Sequence, residues 1–260
     1  MTSTIILFVS LAALIAVNIP IAIALGLSSA LTLLTAGFPI TSIPSILQST
    51  VEKFTLLTIP LFVLAGTAMD EGGISKRLIN VAKMFIGPVY GGLGYVMIVV
   101  ALFFAAISGS GTATVAAVGS ILIPAMISEG YDKSFSGALS AISGSLGTII
   151  PPSISFVVYG MITGISIGDL FISGFIPGIL VALSLCVIVF VYSKKNKWRG
   201  SVHTYTLKEK LKALGDAFWG ILSPVIVLGG IYGGIFTATE AAAVASVYSI
   251  FVGVFIYKEM

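Results

Sequence analysis

The sequence predicts an all-α protein that crosses a membrane several times. Hydrophobic residues make up 57% of its 260 residues and charged residues only 9%, which leaves too little polar surface for a soluble globule. Two small-residue, hydroxyl-rich breaks interrupt the apolar segments. An unpaired backbone N–H or C=O in hydrocarbon costs several kcal/mol, so irregular backbone persists there only when it is buried in protein or lines a watery site. Such breaks are typical of transport proteins.

The hydrophobic pattern divides the chain into eight apolar runs. They cover residues 4–17, 20–36, 54–69, 91–127, 134–161, 167–193, 217–236 and 240–257. The run 91–127 would measure about 55 Å as one helix, well beyond a hydrocarbon core of about 30 Å. Gly109 and Gly111 interrupt this run near its middle. The sequence therefore favours a re-entrant hairpin of two half-length helices over two ordinary spans joined by a short turn.

A second break lies in the run 134–161, where Pro151 and Pro152 follow one another. Proline donates no N–H, so the preceding helix must stop and leave carbonyl groups free. The exposed N-termini of half-helices suit a substrate carboxylate. Close helix packing is the alternative role of small residues at any single position. The candidate residues for binding substrate and ion are Ser108, Gly109, Ser110, Gly111, Thr112, Ser143, Gly144, Ser145, Gly147, Thr148, Pro151, Pro152 and Ser153.

The basic residues predict the orientation of the chain. Residues 194–212 hold seven of the thirteen Lys and Arg residues, and Lys76, Arg77 and Lys83 form a second group. Loops rich in Lys and Arg face the cytoplasm. On this basis the hairpin enters the membrane from the cytoplasmic side, and the N-terminus lies outside.

Two amphipathic stretches predict arms on the inner membrane surface. Residues 74–88 carry an apolar stripe beside basic residues, and residues 194–216 combine a basic loop with a second amphipathic helix. Membrane lipid is therefore an expected partner. Nucleic acid is not, because the basic residues occur as short groups between apolar runs and do not form one patch.

Several polar residues predict helix N-caps. Ser or Thr stands three residues before an acid at Ser166, Thr206 and Thr237, the spacing of the capping box, and Asp132 precedes a further helix. His203 has neither a cysteine nor a second histidine nearby, so it predicts no metal site.

The end of the sequence begins to repeat its start. Residues 217–260 contain two spans joined by a short turn, as residues 4–36 do, but they start from the opposite side of the membrane. We interpret residues 1–193 as a first repeat, with scaffold helices over 4–69 and a final helix over 167–193. Residues 217–260 are then the first two helices of an inverted second repeat. The second hairpin is absent from the chain, so we expect on the order of 150 further residues.

Several segments resemble the large membrane subunit of TRAP (tripartite ATP-independent periplasmic) transporters, a DctM-like or SiaM-like permease. They are FFAAISGSGTATVAAVGSILIPAMISEGYDKSFSGAL, GTIIPPSISFVVYG, SIGDLFISGFIPGIL and GIFTATEAAAVASVYSIFVGVFIYKE. They occur in family order, with family-like spacing, nearly from end to end. The resemblance implies an inverted-repeat fold in the bacterial inner membrane, which works by an elevator motion of a transport domain against a scaffold, with a periplasmic N-terminus.

The resemblance also implies sodium-driven import of organic acids such as C4-dicarboxylates or sialic acid. The implied partners are a small four-helix membrane subunit and a periplasmic substrate-binding protein, and Na⁺ is the coupling ion with no other cofactor. Na⁺ is a hard cation that needs about five or six oxygen ligands. Neither break contains a carboxylate, so hydroxyl groups and freed backbone carbonyls must supply the ligands. The candidates are Ser108, Ser110, Gly144, Ser145, Gly147 and Pro151.

Other classes of function fit the sequence less well. A membrane enzyme needs an acid, base or nucleophile at depth, and the spans near the breaks contain no Asp, Glu, Lys or His, so we expect no enzymatic activity. A channel can also use a re-entrant hairpin, but it would form a symmetric oligomer with a filter. An ATP-driven permease would need a nucleotide-binding partner, and the chain has no Walker-type loop. A non-transporting fragment is the remaining alternative.

Overall fold

A computed structural model of the protein describes residues 2–198 and 205–260, and all regular elements in these two ranges are helices. Six segments are long and apolar enough to cross a membrane: Phe54–Glu71, Gly111–Ser128, Lys133–Thr163, Ile167–Asn196, Leu207–Tyr232 and Ala238–Tyr257. The prediction of an all-α, polytopic membrane protein is confirmed. Residues 199–204, which include His203 and part of the predicted basic loop, lie outside the described residues.

The chain forms two compact units, Met1–Lys53 and Phe54–Met260. In the first unit, helix α1 (Thr2–Ala16) packs on α2 (Ile21–Thr35), and α3 (Ser42–Val51) follows. The sequence analysis did not predict α3, because its residues mix polar and apolar side chains without a long apolar run. The boundary between the two units lies inside the predicted first repeat, and the limits of the repeats stay a prediction.

The second unit contains the predicted hairpin. Helices α4 (Thr58–Glu71) and α5 (Ile74–Ile86) precede it, and α6 (Gly92–Ser108) and α7 (Gly111–Ser128) form it by packing side by side. A turn of only two residues, Gly109 and Ser110, joins α6 to α7.

The two ends of the hairpin lie together at Trp198. The N–H of Gly91, just before α6, donates to the carbonyl of Trp198 over 3.1 Å. The ring of Tyr131, just after α7, stacks on the indole with the centroids 4.7 Å apart. Burial raises the pKa of Tyr131 to about 12, so its hydroxyl stays neutral in the packed aromatic cluster.

The predicted broken helix consists of three pieces: α8 (Lys133–Gly144), α9 (Leu146–Ile149) and α10 (Ile154–Thr163). Ser145 links α8 to α9 with helical dihedral angles, and its hydroxyl donates to the carbonyl of Ile142 over 2.7 Å. The irregular segment therefore begins at residue 150, directly before the predicted stop at Pro151 and Pro152. It contains a cis peptide bond between Pro151 and Pro152.

Three further helices complete the second unit. They are α11 (Ile167–Asn196), α12 (Leu207–Tyr232) and α13 (Ala238–Phe251), and a π-helical segment, Val252–Tyr257, continues α13. The predicted N-caps are confirmed: Thr206 and Thr237 form complete capping boxes with Glu209 and Glu240. The side chains of Asp132 and Ser166 accept hydrogen bonds at the starts of α8 and α11.

Helix α4 packs closely against α13 through small and hydroxyl side chains. The hydroxyl groups of Thr58 and Thr239 are hydrogen-bonded at 2.6 Å in a buried environment, and the hydroxyl of Ser246 donates to the carbonyl of Leu61 over 2.6 Å. Small residues allow this close approach where hydrophobic burial gives no net force between helices in lipid.

The two amphipathic stretches differ from the predicted surface arms. Most of the apolar stripe of α5 is buried within the protein: Ile74 is 1% exposed and Leu78 is 4% exposed, whereas Phe85 near the end of the helix is 47% exposed. The buried part packs against α6 and α12, because a stripe of small residues on α12, which includes Gly220, leaves room for it. The second stretch is not a separate arm, since α12 runs without interruption from Leu207 to Tyr232.

We expect the Thr58–Thr239 pair to stabilise the contact between α4 and α13. Thr58→Val leaves the Thr239 hydroxyl unpaired and should lower the free energy of unfolding by about 1 kcal/mol. The double variant with Thr239→Val should lose less than the sum of the two single variants, because it leaves no orphaned hydroxyl. Denaturant unfolding in detergent measures these changes. Thr67→Val, on the exposed face of α4, is the control. Strict additivity would contradict the pairing.

Candidate functional site

The two breaks contact each other inside the second unit. The N–H of Ile154, the first residue of α10, donates to the carbonyl of Gly109 at the hairpin tip over 3.1 Å. Gly109 has φ +61°, and a Cβ atom there would lie 2.7 Å from the carbonyl oxygen of Pro152. Only glycine fits both conditions. The tip therefore meets the middle of the segment Lys133–Thr163, and entry of the hairpin from one side of the membrane stays a prediction.

A second contact joins the start of α7 to the end of α8. A Cβ atom on Gly111 would lie 2.7 Å from the carbonyl oxygen of Gly144, and one on Gly147 would lie 2.8 Å from the carbonyl of Ser110. The backbones thus approach as closely as main-chain atoms can pack. The structure brings the two predicted clusters of site residues together along this line.

Hydroxyl groups at the breaks cap the half-helices that begin there. Ser110 caps α7 by accepting from the N–H of Ala113, and its hydroxyl lies 3.1 Å from that of Thr112. Ser153 caps α10 by accepting from the N–H of Phe156, and it donates to the carbonyl of Thr148 over 2.7 Å. These bonds satisfy backbone groups that lipid cannot satisfy.

The hydroxyl groups of two buried serines have weak hydrogen bonds or none in the described residues. Ser108 and Ser143 are each 1% exposed. The Ser143 hydroxyl has no hydrogen-bond partner among residues 2–198 and 205–260, and the Ser108 hydroxyl reaches the backbone of Ser110 only at 3.4 Å. Both oxygens can accept a further ligand.

A groove with a volume of about 530 Å³ runs beside these contacts. Its lining residues are Gly111, Thr112, Val115, Ala116, Ala141, Gly144, Ser145 and Thr148. None of the lining residues is charged, and no group of His, Cys, Asp and Glu able to hold a metal ion occurs in the described residues. An ion in this groove would meet hydroxyl groups, carbonyls and helix termini.

The helix termini supply opposite partial charges at the two breaks. Helices α7 and α10 begin there and direct their positive ends towards the breaks, whereas α6 and the helix formed by α8 and α9 end there. The arrangement can therefore stabilise an anion and a cation side by side without a charged side chain.

The sequence analysis missed two neighbours of the site. A Cβ atom on Gly66 of α4 would lie 2.8 Å from the Cβ of Ser108, and the side chain of Val115 packs on Gly144. Gly66 lies in a long apolar run, where its only sequence signal is its small size.

The family assignment rests on the whole chain. A family model described as "Tripartite ATP-independent periplasmic transporter, DctM component" matches residues 8–260. The chain belongs to the DctM family of TRAP transporter components. This finding confirms the resemblance, and it agrees with a multi-pass membrane protein.

Three relatives are 40–46% identical to this chain over the matched region. The C4-dicarboxylate TRAP transporter large permease protein DctM of Vibrio cholerae is 46% identical over 98% of the chain and 56% of its own length. The isethionate TRAP transporter permease protein DctMQ of Oleidesulfovibrio alaskensis is 46% identical over 98% of the chain and 40% of its own length. The sialic acid TRAP transporter large permease protein SiaM of Vibrio cholerae is 40% identical over 81% of the chain and 49% of its own length. The chain spans about half the length of these curated relatives.

We expect Gly109→Ala to disrupt the contact between the two breaks. The substitution forces a Cβ atom against the carbonyl of Pro152 in a left-handed conformation, and should lower the free energy of unfolding by about 2 kcal/mol. Gly137→Ala is the matched control, because a Cβ atom there meets nothing within 4 Å in the interior of α8. It should raise stability by up to about 1 kcal/mol. Equal effects in thermal unfolding would contradict this role of Gly109.

Proposed function

We propose that the protein carrying this chain is the large membrane subunit of a sodium-coupled secondary transporter for organic anions. The observation that carries the proposal is the direct contact between the two breaks, where a hydrogen bond joins Ile154 to Gly109. Helix termini of both signs meet at this contact, and no charged side chain lines the adjoining groove. This is the chemistry by which discontinuous membrane helices bind ions and anionic solutes.

The substrate class follows from the positive helix ends and from the relatives. The relatives are named for a C4-dicarboxylate, isethionate and sialic acid. All three are organic acids that carry a carboxylate or sulfonate group. The N-termini of α7 and α10 offer backbone N–H groups and partial positive charge to such a group.

The coupling ion is Na⁺, with no other cofactor. The buried hydroxyl oxygen of Ser108 belongs to the last residue of α6, where the helix carbonyls have no partner within the helix. Such neutral oxygen ligands suit a hard monovalent cation. The oxygens proposed for Na⁺ belong to the side chain or backbone of Ser108, Ser110, Gly144, Ser145, Gly147 and Pro151.

The family supports the proposed partners and location. The subunit works in the bacterial inner membrane with a small four-helix membrane subunit and a periplasmic substrate-binding protein that delivers the solute. Its hairpin and broken helix move as a unit against scaffold helices in an elevator motion, with the N-terminus in the periplasm.

Two serine substitutions test the sodium site. Ser110→Ala and Ser145→Ala each remove an oxygen from the breaks and should raise the Na⁺ concentration for half-maximal uptake by about tenfold, which corresponds to about 1.4 kcal/mol per ligand. Ser184→Ala is the matched control. Its hydroxyl also donates to a carbonyl three residues earlier but is exposed on α11. Unchanged sodium activation in both site variants would reject the assignment.

Uptake by proteoliposomes tests the proposal as a whole. The full-length protein, reconstituted with its small subunit and binding protein, should accumulate a labelled organic acid only when Na⁺ enters down its gradient. The 260-residue chain alone, prepared in the same way, should not, because it spans about half the length of its relatives. Solute flux without the binding protein would instead indicate a channel.

A further inference from the structure

A second cavity lies between α5 and α12, and Ile121 of α7 also lines it. It has a volume of about 790 Å³, and we call it the basic crevice. Lys76, Arg77, Asn80 and Lys83 of α5 form one wall, and Asp216 and Trp219 are on the α12 wall. Part of the π-helical segment and Glu259 close one end. None of these residues belongs to the proposed transport site.

The helical spacing of α5 produces the basic wall. Lys76, Asn80 and Lys83 stand at positions i, i+4 and i+7, so they lie on one face of the helix. The neighbouring face, with Ile74 and Leu78, is buried within the protein. Because that burial fixes the rotation of α5, its polar face is held towards the crevice.

An anionic side chain already occupies one end of the crevice. A carboxylate oxygen of Glu259 lies 2.7 Å from the guanidinium of Arg77, and the other lies 3.8 Å from the ammonium of Lys76. Arg77 also stacks over the ring of Tyr257, 3.7 Å from its centroid. Glu259 therefore marks the position where this wall holds a negatively charged group.

Among the described residues, Lys83 is the basic residue of the crevice that forms no salt bridge. No carboxylate lies within 4 Å of the Lys83 ammonium in residues 2–198 and 205–260. Glu129 lies near enough for Lys83 to oppose the rise in the Glu129 pKa that partial burial causes. Asp216 faces α5 from the opposite wall. Three cations thus share the crevice with two carboxylates, and only two of the cations are paired.

The crevice combines this charge with the features of a membrane interface. The Trp219 side chain lies at its rim with 36% exposure, and Ile121 and Ile256 supply apolar surface. Indole rings favour the boundary between headgroups and acyl chains. The α12 wall is close in sequence to Lys208, Lys210 and Lys212, which belong to the predicted cytoplasmic loop. The leaflet on that side carries the anionic lipids.

We propose that the basic crevice binds a phosphate group, which an anionic phospholipid headgroup or a free phosphate supplies. Lys83 and Asn80 contact the phosphate oxygens, and the Trp219 indole packs beside the glycerol or acyl portion when the source is a lipid. Glu259 competes with the phosphate for Arg77 and Lys76. Charge-assisted hydrogen bonds from Lys and Arg are the usual means of binding phosphate in proteins.

Lipid titration of the full-length protein in detergent tests this proposal. Native mass spectrometry or fluorescence of Trp219 can follow the binding of short-chain phosphatidylglycerol, with phosphatidylcholine as the uncharged reference. Lys83→Gln should weaken phosphatidylglycerol binding about fivefold, the effect expected for one basic residue near an anionic headgroup. Glu259→Gln should strengthen binding by a similar factor, since it removes the competing carboxylate.

Lys208→Gln is the matched control. Like Lys83→Gln it removes one positive charge, but Lys208 is an exposed residue of α12 outside the crevice. It should change binding less than twofold. Lys76→Gln is a second test variant, since the Lys76 side chain is 71% exposed and its loss does not endanger folding. Weakening that is equal in Lys208→Gln and Lys83→Gln would overturn the proposal, because it indicates diffuse surface attraction.

Inorganic phosphate distinguishes the two sources. If millimolar phosphate displaces phosphatidylglycerol from the wild type but not from Lys83→Gln, the crevice recognises free phosphate. If phosphate does not compete while phosphatidylglycerol binding still depends on Lys83, the source is a lipid. Binding of neither ligand, or binding that is indifferent to Lys83 and Glu259, would refute the site.

Discussion

The satisfaction of backbone polar groups at the two breaks is the constraint on which the second unit depends. A hairpin tip and an interrupted helix each leave N–H and C=O groups without helical partners, and lipid offers none. The hydrogen bond from Ile154 to Gly109 joins one break to the other. Ser110 and Ser153 cap the N-termini of α7 and α10. The hydrogen bond between Ile154 and Gly109 couples the hairpin to the broken helix.

This pairing explains why glycine is concentrated where the site lies. The contact needs main-chain atoms of Gly111 and Gly144, and of Gly147 and Ser110, to pack without intervening side chains. The same close packing brings helix termini of both signs together, so the arrangement that packs the two breaks is also the one on which the proposed ion binding rests. The alternative that small residues serve only packing is thus not separate from their proposed role in binding.

Local chemistry made the hairpin turn, the second break and the helix caps predictable from the sequence. Gly109, the two prolines and the Ser/Thr-x-x-acid motifs act on their immediate neighbours, so the hairpin turn, the break and the caps could be located in advance. Features that depend on distant partners could not. The stripe of α5 has the pattern of a surface helix, and only the small residues of α12 show that it is buried. Likewise, Gly66 lies beside the site only through its contact with Ser108, which is 42 residues away in the sequence.

The hydroxyl pair between α4 and α13 has a consequence for biosynthesis. Thr58 and Thr239 are 181 residues apart in the sequence. At a synthesis rate of about 5–20 residues per second, α4 leaves the ribosome roughly 10–40 s before α13. During that interval the Thr58 hydroxyl lacks its Thr239 partner. The contact between α4 and α13 can therefore form only after α13 has been synthesised.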